Sequence, residues 1–414
     1  MKIGLFTDTY TPQINGVSTS VEMLKRALEK KQNEVYIITV SPDSMKYEIE
    51  EDNHIIRIPG IPIGIYDYRL TGIYPVKAVN IIKKLNLDII HSHTEFGIGT
   101  FARLMAFQLD IPLVHTYHTM YEDYIHYITK GFFDKSSKKI VEYLTLFYCD
   151  RTASELIVPT KKTYDLFKEK YKVDKNIHIV PTGIEIDRFY LENIDMNKLK
   201  KLQDKYKITA KDFTAIFVGR LAKEKNIMFL IEIIEELKEK IEPLKLLIVG
   251  DGPDYEEYAK YIKKHHLEKY IILTGKVPWE EIPYYYHLGK IFLTASTTET
   301  QGLTVIEAMA SGIPPICIDD ESFRNTVVED LNGYIFKDKP KCKDILYRLY
   351  SDPKKLKKIS NQARINSETY SSKYYAESIL DVYQYAITNY ESRLGVIGKI
   401  VNKLKGEKDE AGDK

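Results

Sequence analysis

Apolar residues in this chain gather in short runs separated by longer stretches with helical spacing, and the alternation occurs twice. In the first half IGLFTD, EVYIITV, HIIRI, DIIHSH, PLVHTYH and ELIVPT read as strands, with helical stretches between most of them and a helix from Val17 to Lys31. The second half restarts with FTAIFVGR, a helix from Asn226, LKLLIVGDGP, a helix from Asp254, and YIILTG. Strand alternating with helix predicts parallel sheets joined by right-handed crossovers, and runs without polar alternation predict sheets covered on both faces. After IHIVPTGIEIDRF (177–189), the lysine-rich LENIDMNKLKKLQDKYKITAKD is the expected linker. The chain therefore predicts two similar α/β domains facing each other across a cleft, over 1–190 and 191–385. Long helices are expected over 339–350 and 371–390, and 386–414 is the last helix end with a basic tail.

The stretch from Lys290 to Ile318 organises the second half. It reads as a buried strand (IFLTAS), a polar turn (TTETQG), a helix (LTVIEAMAS) and a second apolar strand (PPICI). Gly302 starts that helix and Gly312 follows it, which is ordinary end chemistry. Glu299 falls in the loop beyond the carboxyl end of a strand, where open α/β sheets bind ligands. Glu307 lies about two turns on, in a helix whose first N–H groups suit a phosphate. Together they form a receptor for a nucleotide sugar: one carboxylate for sugar hydroxyls, the N–H groups for a diphosphate, the other carboxylate for ribose. The same spacing also fits two solvated acids, so the rest of the chain must decide.

With 60 basic and 59 acidic residues the net charge gives no field for nucleic acid. At 414 residues there is room for two cores. Cys149, Cys317 and Cys342 form no metal spacing and no even framework, so a reducing cytoplasm is the expected setting. MKIGLFTDTY runs straight into a strand, unlike a secretory leader, and no apolar run is long enough to span a bilayer.

Each strand of interest ends in a loop with phosphate- or sugar-binding residue types. Asn15-Gly16 precedes a helix beginning VSTSVE, where a small residue admits a phosphate close to backbone and Ser or Thr can cap. The G-x-G-x-x-G fingerprint of nicotinamide and flavin enzymes is missing. His115 lies inside a strand and reads as structural; His118 ends that strand and is placed to donate to a substrate hydroxyl or phosphate. His91 and His93 end the preceding strand, yet no i, i+4 histidine pair on a helix supports a metal. In VGRLAKEKN, Arg220 and Lys225 bring two cations to one strand end, a fork and a point charge suited to a diphosphate. GDGP, with Gly252, and TGKVP, with Lys276 and Val277, are further glycine-containing strand ends able to admit a base.

These residues, in this order, resemble the retaining glycosyltransferases of the GT-B fold, in the large family marked by E-x(7)-E. The matching positions are Glu299 and Glu307 with Gly302 and Leu303 between them, Arg220 and Lys225 in GRLAKEKN, His118 in HTYHT, and Gly16 in the first loop. The resemblance covers nearly the whole chain. It implies two facing Rossmann-like domains, with a C-terminal helix returning to the first. It also implies a nucleotide-diphosphate sugar bound mainly by the second domain, with Arg220 and Lys225 on the diphosphate, Glu307 on the ribose and Glu299 on the transferred sugar. Backbone N–H groups near Gly302, Leu303 and Gly16 complete the phosphate site, and His118 contacts the sugar. FTDTYTPQINGVSTSVEMLKRAL, HTYHTMYEDYIHY and TETQGLTVIEAMA are most similar to the bacterial branch that transfers glucose from UDP-glucose to diacylglycerol. Thr300 stands where many members have glycine, and the first loop has one glycine instead of two. Both departures fit that branch.

No side chain is placed as a covalent nucleophile, which favours front-face displacement with retention. The two cations and the helix N–H groups can balance the developing charge, so no metal cofactor such as Mg2+ is expected. A diacylglycerol acceptor requires contact with an anionic membrane surface. KGFFDKSSKKIVEYLTLFYCDRTASELIVPTKK, with Phe132, Phe133, Leu144, Leu146 and Phe147, and the tail RLGVIGKIVNKLK are the two candidate stretches. A relative with another sugar or acceptor remains a rival, such as a phosphatidylinositol mannosyltransferase or a polysaccharide-building enzyme. A nucleotide-sugar 2-epimerase shares the two-domain plan, but the acid pair with Arg220 and Lys225 argues against it.

Overall fold

Two largely parallel sheets carry the chain, and their central strands are buried along their length, as runs apolar on both sides require. The computed structural model describes residues 1–13, 15–52, 54–62, 69–72, 74–95, 97–118, 142–143, 145–297, 299 and 301–392. It divides into two compact units, one of residues 1–159, 163–180 and 375–414, the other of residues 160–162 and 181–374.

In the first unit the strands are β1 (Lys2–Phe6), β2 (Glu34–Val40), β3 (Glu48–Glu50), β4 (Ile55–Ile58), β5 (Gly60–Pro62), β6 (Arg69–Thr71), β7 (Ile89–Ser92), β8 (Leu113–Thr116), β9 (Glu155–Val158) and β10 (Ile177–Ile179). Eight form one sheet in the order β10-β9-β8-β7-β1-β2-β4-β3, and β5 pairs with β6 apart from it. Only β3 runs antiparallel to its neighbour in the large sheet. Along β1 the two-residue period divides the core. Ile3 and Leu5 pack with Val21, Leu24 and Leu28 of the helix Gly16–Lys30, while Phe6 joins Val79, Ile82, Ile98 and Phe101 on the opposite face. The first of these cores is completed from far along the chain. Tyr375, Ile379, Val382, Tyr383 and Ala386 of the helix Ser372–Thr388 are buried in it. The return of the C-terminal helix matches the expected fold.

The second unit contains β11 (Phe213–Val218), β12 (Leu244–Val249), β13 (Ile271–Leu273), β14 (Ile291–Thr294), β15 (Pro315–Ile318) and β16 (Tyr334–Phe336). They form one all-parallel sheet in the order β13-β12-β11-β14-β15-β16. Its core joins Phe217, Leu246, Ile248 and Leu293 to Ile231 and Ile234 of the helix Ile227–Leu237 and to Ile345 and Leu346 of the helix Lys339–Ser351.

The structure revises two expectations and adds one helix. Residues 196–206 of the expected linker form a helix, Met196–Tyr206, capped by the Asp195 carboxylate and anchored by buried Leu199. Buried Ile194 and Ile208 hold its two ends. Lysines on the solvent side made a packed helix look like a tether. The chain instead leaves the first unit at Val180 and re-enters it at Tyr375, so the boundaries fall at those residues and not at 190 and 385. Residues 181–190 belong to the second unit because Thr182 bonds Gln301 and Phe189 packs edge-on against Tyr286. Finally, the helix Pro353–Ser367, started by an Asp352 cap and Pro353, was not foreseen. Only Ile359, Ala363 and Ser367 of it are buried, too few to give a strong apolar period.

Strand order reverses at one place in each sheet. β1 lies between β2 and β7, and β11 lies between β12 and β14. In doubly wound sheets a crevice opens beyond the carboxyl ends of the strands at such a point.

Candidate functional site

In the second unit the reversal point is flanked by the loops after β11 and β14, which contain Arg220, Lys225 and Glu299. Lys225 ends a short 3-10 turn, Lys223–Lys225, and donates from Nζ to the Glu299 carboxylate. Ser296 Oγ donates to the same Glu299 oxygen at 2.9 Å, and Lys225 Nζ lies 3.5 Å from Ser296 Oγ. The Lys225 and Glu299 side chains are 20% and 23% exposed, so the pair is shielded yet reachable. Arg220 is exposed and donates to Glu224 at 2.5 Å. The loops after β12 and β13 place Gly252, Lys276 and Val277 along the same edge, with Lys276 exposed and Val277 partly covered. A Cβ at Gly252 would sit 2.3 Å from the Leu221 carbonyl oxygen, so this glycine is required by loop packing.

The helix Leu303–Ala310 begins at Gly302, whose φ of +73° is left-handed. A Cβ there would meet the Phe323 ring at 2.5 Å, a second reason for glycine. Leu303 opens the helix, where the first N–H groups have no intrahelical acceptor. Glu307 is partly buried on this helix and accepts from Tyr286 Oη at 2.8 Å, which also donates to the Thr304 carbonyl at 3.1 Å. Burial pushes the Glu307 carboxyl up to about 7, against the lowering effects of the Tyr286 hydroxyl and the Arg188 charge. The Tyr286 hydroxyl is itself held well above its ordinary value, mainly by burial. Gln301 fixes the loop between the two acids: its buried amide accepts from Thr182 N at 2.7 Å and donates to Thr182 O at 2.9 Å.

The first unit also places polar groups at its reversal point. Buried Asp8, after β1, accepts from Thr94 Oγ1 at 2.5 Å and from the N–H of Ile98 at 2.9 Å. Burial raises its carboxyl above the ordinary value. His118 follows β8 and is partly covered, with its Nε2 3.0 Å from His93 Nδ1. Burial holds His118 down at about 4, so it is neutral near pH 7. His115 is fully buried, bonded to the Ser92 carbonyl at 3.0 Å and to Glu95 at 3.1 Å, which fits the structural role read from sequence. Gly16 begins the helix Gly16–Lys30 behind the Asn15 cap and is exposed. Nothing lies within 4 Å of a Cβ built on it, so internal packing gives no reason for glycine there.

Within the second unit the structure thus brings Lys225 to Glu299 and sets Arg220, Gly252, Lys276, Val277, Gly302 and Leu303 on one sheet edge. Glu307 sits further along the helix, engaged by a tyrosine. Ser296, Tyr286 and Gln301 were not foreseen. Tyr286 and Glu307 are 21 residues apart and Gln301 and Thr182 are 119 apart, separations at which no local period applies. Of the expected membrane stretches, residues 130–141, Leu144 and the tail lie outside the described residues. Phe147 is 37% exposed and Leu146 is partly packed against the cluster around Tyr117 and Phe167.

Residues 199–366 match the family model of glycosyl transferases group 1, and residues 14–188 match that of Glycosyltransferase Family 4. The alpha-monoglucosyldiacylglycerol synthase of Acholeplasma laidlawii is 37% identical over 389 residues, covering 92% of this chain and 96% of that one. The enzyme of the same name from Streptococcus pneumoniae is 37% identical over 338 residues, covering 81% of this chain and 75% of that one. Among solved structures, Anabaena HepE in complex with UDP-glucose aligns with a TM-score of 0.67 at 17% identity, covering 93% of this chain and all of that one. At that identity the likeness concerns the fold, which is GT-B.

Proposed function

The chain belongs to the group 1 glycosyltransferase family, with the alpha-monoglucosyldiacylglycerol synthases among its relatives, and we propose that it transfers glucose from UDP-glucose to the 3-hydroxyl of 1,2-diacylglycerol, making alpha-monoglucosyldiacylglycerol. The observation that carries this reading is the 37% identity running across 92% of the chain. The cluster of Lys225, Ser296 and Glu299 at the reversal point of the second sheet supports it.

In this reading Arg220 and Lys225 leave their acid partners for the two phosphates, one as a fork and one as a point charge. The N–H groups that open the helix after Gly302, with Leu303 the first of them, take phosphate oxygens. Ionised Glu307, oriented by Tyr286, accepts from the ribose hydroxyls. Glu299, kept in place by Ser296, accepts from hydroxyls of the glucose. Gly252, Lys276 and Val277 border the base, and Gly16 and His118 serve the phosphate and the sugar.

Glucose moves with retention. As the bond from the anomeric carbon to the diphosphate oxygen breaks, the acceptor oxygen bonds the same face and its proton passes to the departing phosphate. The cations and helix N–H groups stabilise the charge that develops on the leaving group. They supply what a divalent ion supplies elsewhere, so turnover is expected to persist in a chelator. Among the described residues no helix is long and apolar enough to cross a membrane. The acceptor is a membrane lipid, so the protein works peripherally at the inner face of the cell membrane, drawn by anionic lipid.

The test is to incubate the purified protein with diacylglycerol vesicles and, separately, UDP-glucose, UDP-galactose or GDP-mannose, and to separate the lipids. A monoglucosyl lipid formed from UDP-glucose alone is the expected outcome. Product from another donor, or none with this acceptor, overturns the assignment.

A further inference from the structure

His93 ends β7 with only 1% of its surface exposed. Its Nδ1 lies 3.0 Å from His118 Nε2, with the rings stacked at 5.3 Å between centroids. Its ring also lies 4.0 Å from the His91 ring, centroid to centroid. His91 is satisfied at both nitrogens, by Tyr383 Oη at 2.6 Å and Thr116 Oγ1 at 2.7 Å. His93 Nε2 differs, being buried and meeting no hydrogen-bond partner among the described residues. Burial keeps both His93 and His118 neutral near pH 7, so each carries one ring proton.

That constraint leaves two arrangements. If His118 donates from Nε2, then His93 accepts at Nδ1 and must carry its own proton on Nε2. The result is a buried N–H with nothing to receive it. If His93 donates from Nδ1, its buried Nε2 holds only a lone pair. An under-used acceptor is tolerated better than an orphaned donor, so the second arrangement prevails. The His118 proton then sits on Nδ1, and its lone pair at Nε2 is already taken.

We propose that His93 is a positioning residue that fixes His118 as its Nδ1–H tautomer, so that His118 offers the substrate a hydrogen-bond donor and no basic nitrogen. The catalytic half of this statement rests on the proposed role of His118 in glucosyl transfer; the tautomer itself does not. It follows that His118 is not the base that receives the acceptor proton, which leaves that task to the departing phosphate.

The direct test is a two-bond proton–nitrogen correlation spectrum of the full chain labelled with 15N-histidine, at pH 7, assigned with His118→Gln and His93→Gln. The wild-type His118 signal should have the Nδ1–H pattern; the Nε2–H pattern overturns the proposal. In His93→Ala the His118 signal should shift toward the Nε2–H pattern, and kcat should fall about tenfold with little change in the KM for donor. His93→Gln can donate an amide N–H to the same nitrogen, and should restore the Nδ1–H pattern and most of the turnover. Equal loss in both variants, with an unaltered His118 pattern, overturns the positioning role. A wild-type protein that makes no glucolipid defeats the functional reading and still leaves the tautomer decided by the spectrum.

Discussion

Lys225 and Glu299 neutralise each other across 74 residues of sequence, with Ser296 bonded to the same carboxylate oxygen. Removing either partner leaves the other charge half-shielded and, in the proposed mechanism, removes a contact to the donor. Lys225→Ala and Glu299→Ala should each lower kcat/KM by about 10²- to 10³-fold, and the double variant should lose much less than the product of the two. Steady-state kinetics of the three variants checks this; full additivity would separate the residues. Glu307 supplies the pH dependence. Its folded carboxyl titrates at about 7, above its ordinary value of 4.5, so the native state holds the proton more tightly than the unfolded chain. Stability is therefore complete below the unfolded value and falls as pH rises through the folded one, by at most about 3 kcal/mol. Calorimetric unfolding between pH 5 and 8 should show this decline, and Glu307→Gln should flatten it. Donor affinity should run the other way in the wild type, tightening as pH rises through about 7 and the carboxylate forms.

The helix Leu303–Ala310 depends on its first residue. At φ +73°, with the Phe323 ring 2.5 Å from any added Cβ, Gly302→Ala must strain the backbone or displace the ring. We expect a loss of about 1–3 kcal/mol, read as a lower Tm, together with weaker donor binding; an unchanged Tm would count against the strain. This element was legible in sequence because its signals are local: glycine at each end, an apolar run between, one acid before and one inside. The Glu307–Tyr286 and Gln301–Thr182 pairs were not, since each joins segments that meet only in the folded unit. The helix Met196–Tyr206 was missed for a different reason. Its lysines face water, and the few apolar residues that fix it, Leu199 among them, are too sparse to form a stripe.

At the scale of the molecule, the alternation of strand and helix was enough to foresee two parallel sheets, and the reversal in each strand order brings the strand-end residues to a defined edge. The exact division was not foreseen, because the chain crosses between units at Val180 and Tyr375 within stretches that read as continuous elements. The helix Ser372–Thr388 completes the core around Ile3, Leu5 and Leu24 although it follows the whole second unit. Ile379→Ala, at 0% exposure, should therefore destabilise the first unit by about 2–4 kcal/mol, with Tyr383→Phe milder but costly to His91, which loses its Nδ1 partner. Hydrogen exchange checks this: faster exchange should appear in β1 and β7, while β11 and β12 keep their protection. The central claim is that the donor is held at the reversal point of the second sheet by Arg220, Lys225, Glu299 and Glu307. Calorimetric titration of UDP-glucose into the wild type and into the Arg220→Ala, Lys225→Ala double variant tests it most directly. At least a hundredfold weaker binding by the variant is predicted, and equal affinity in the two proteins would contradict the account.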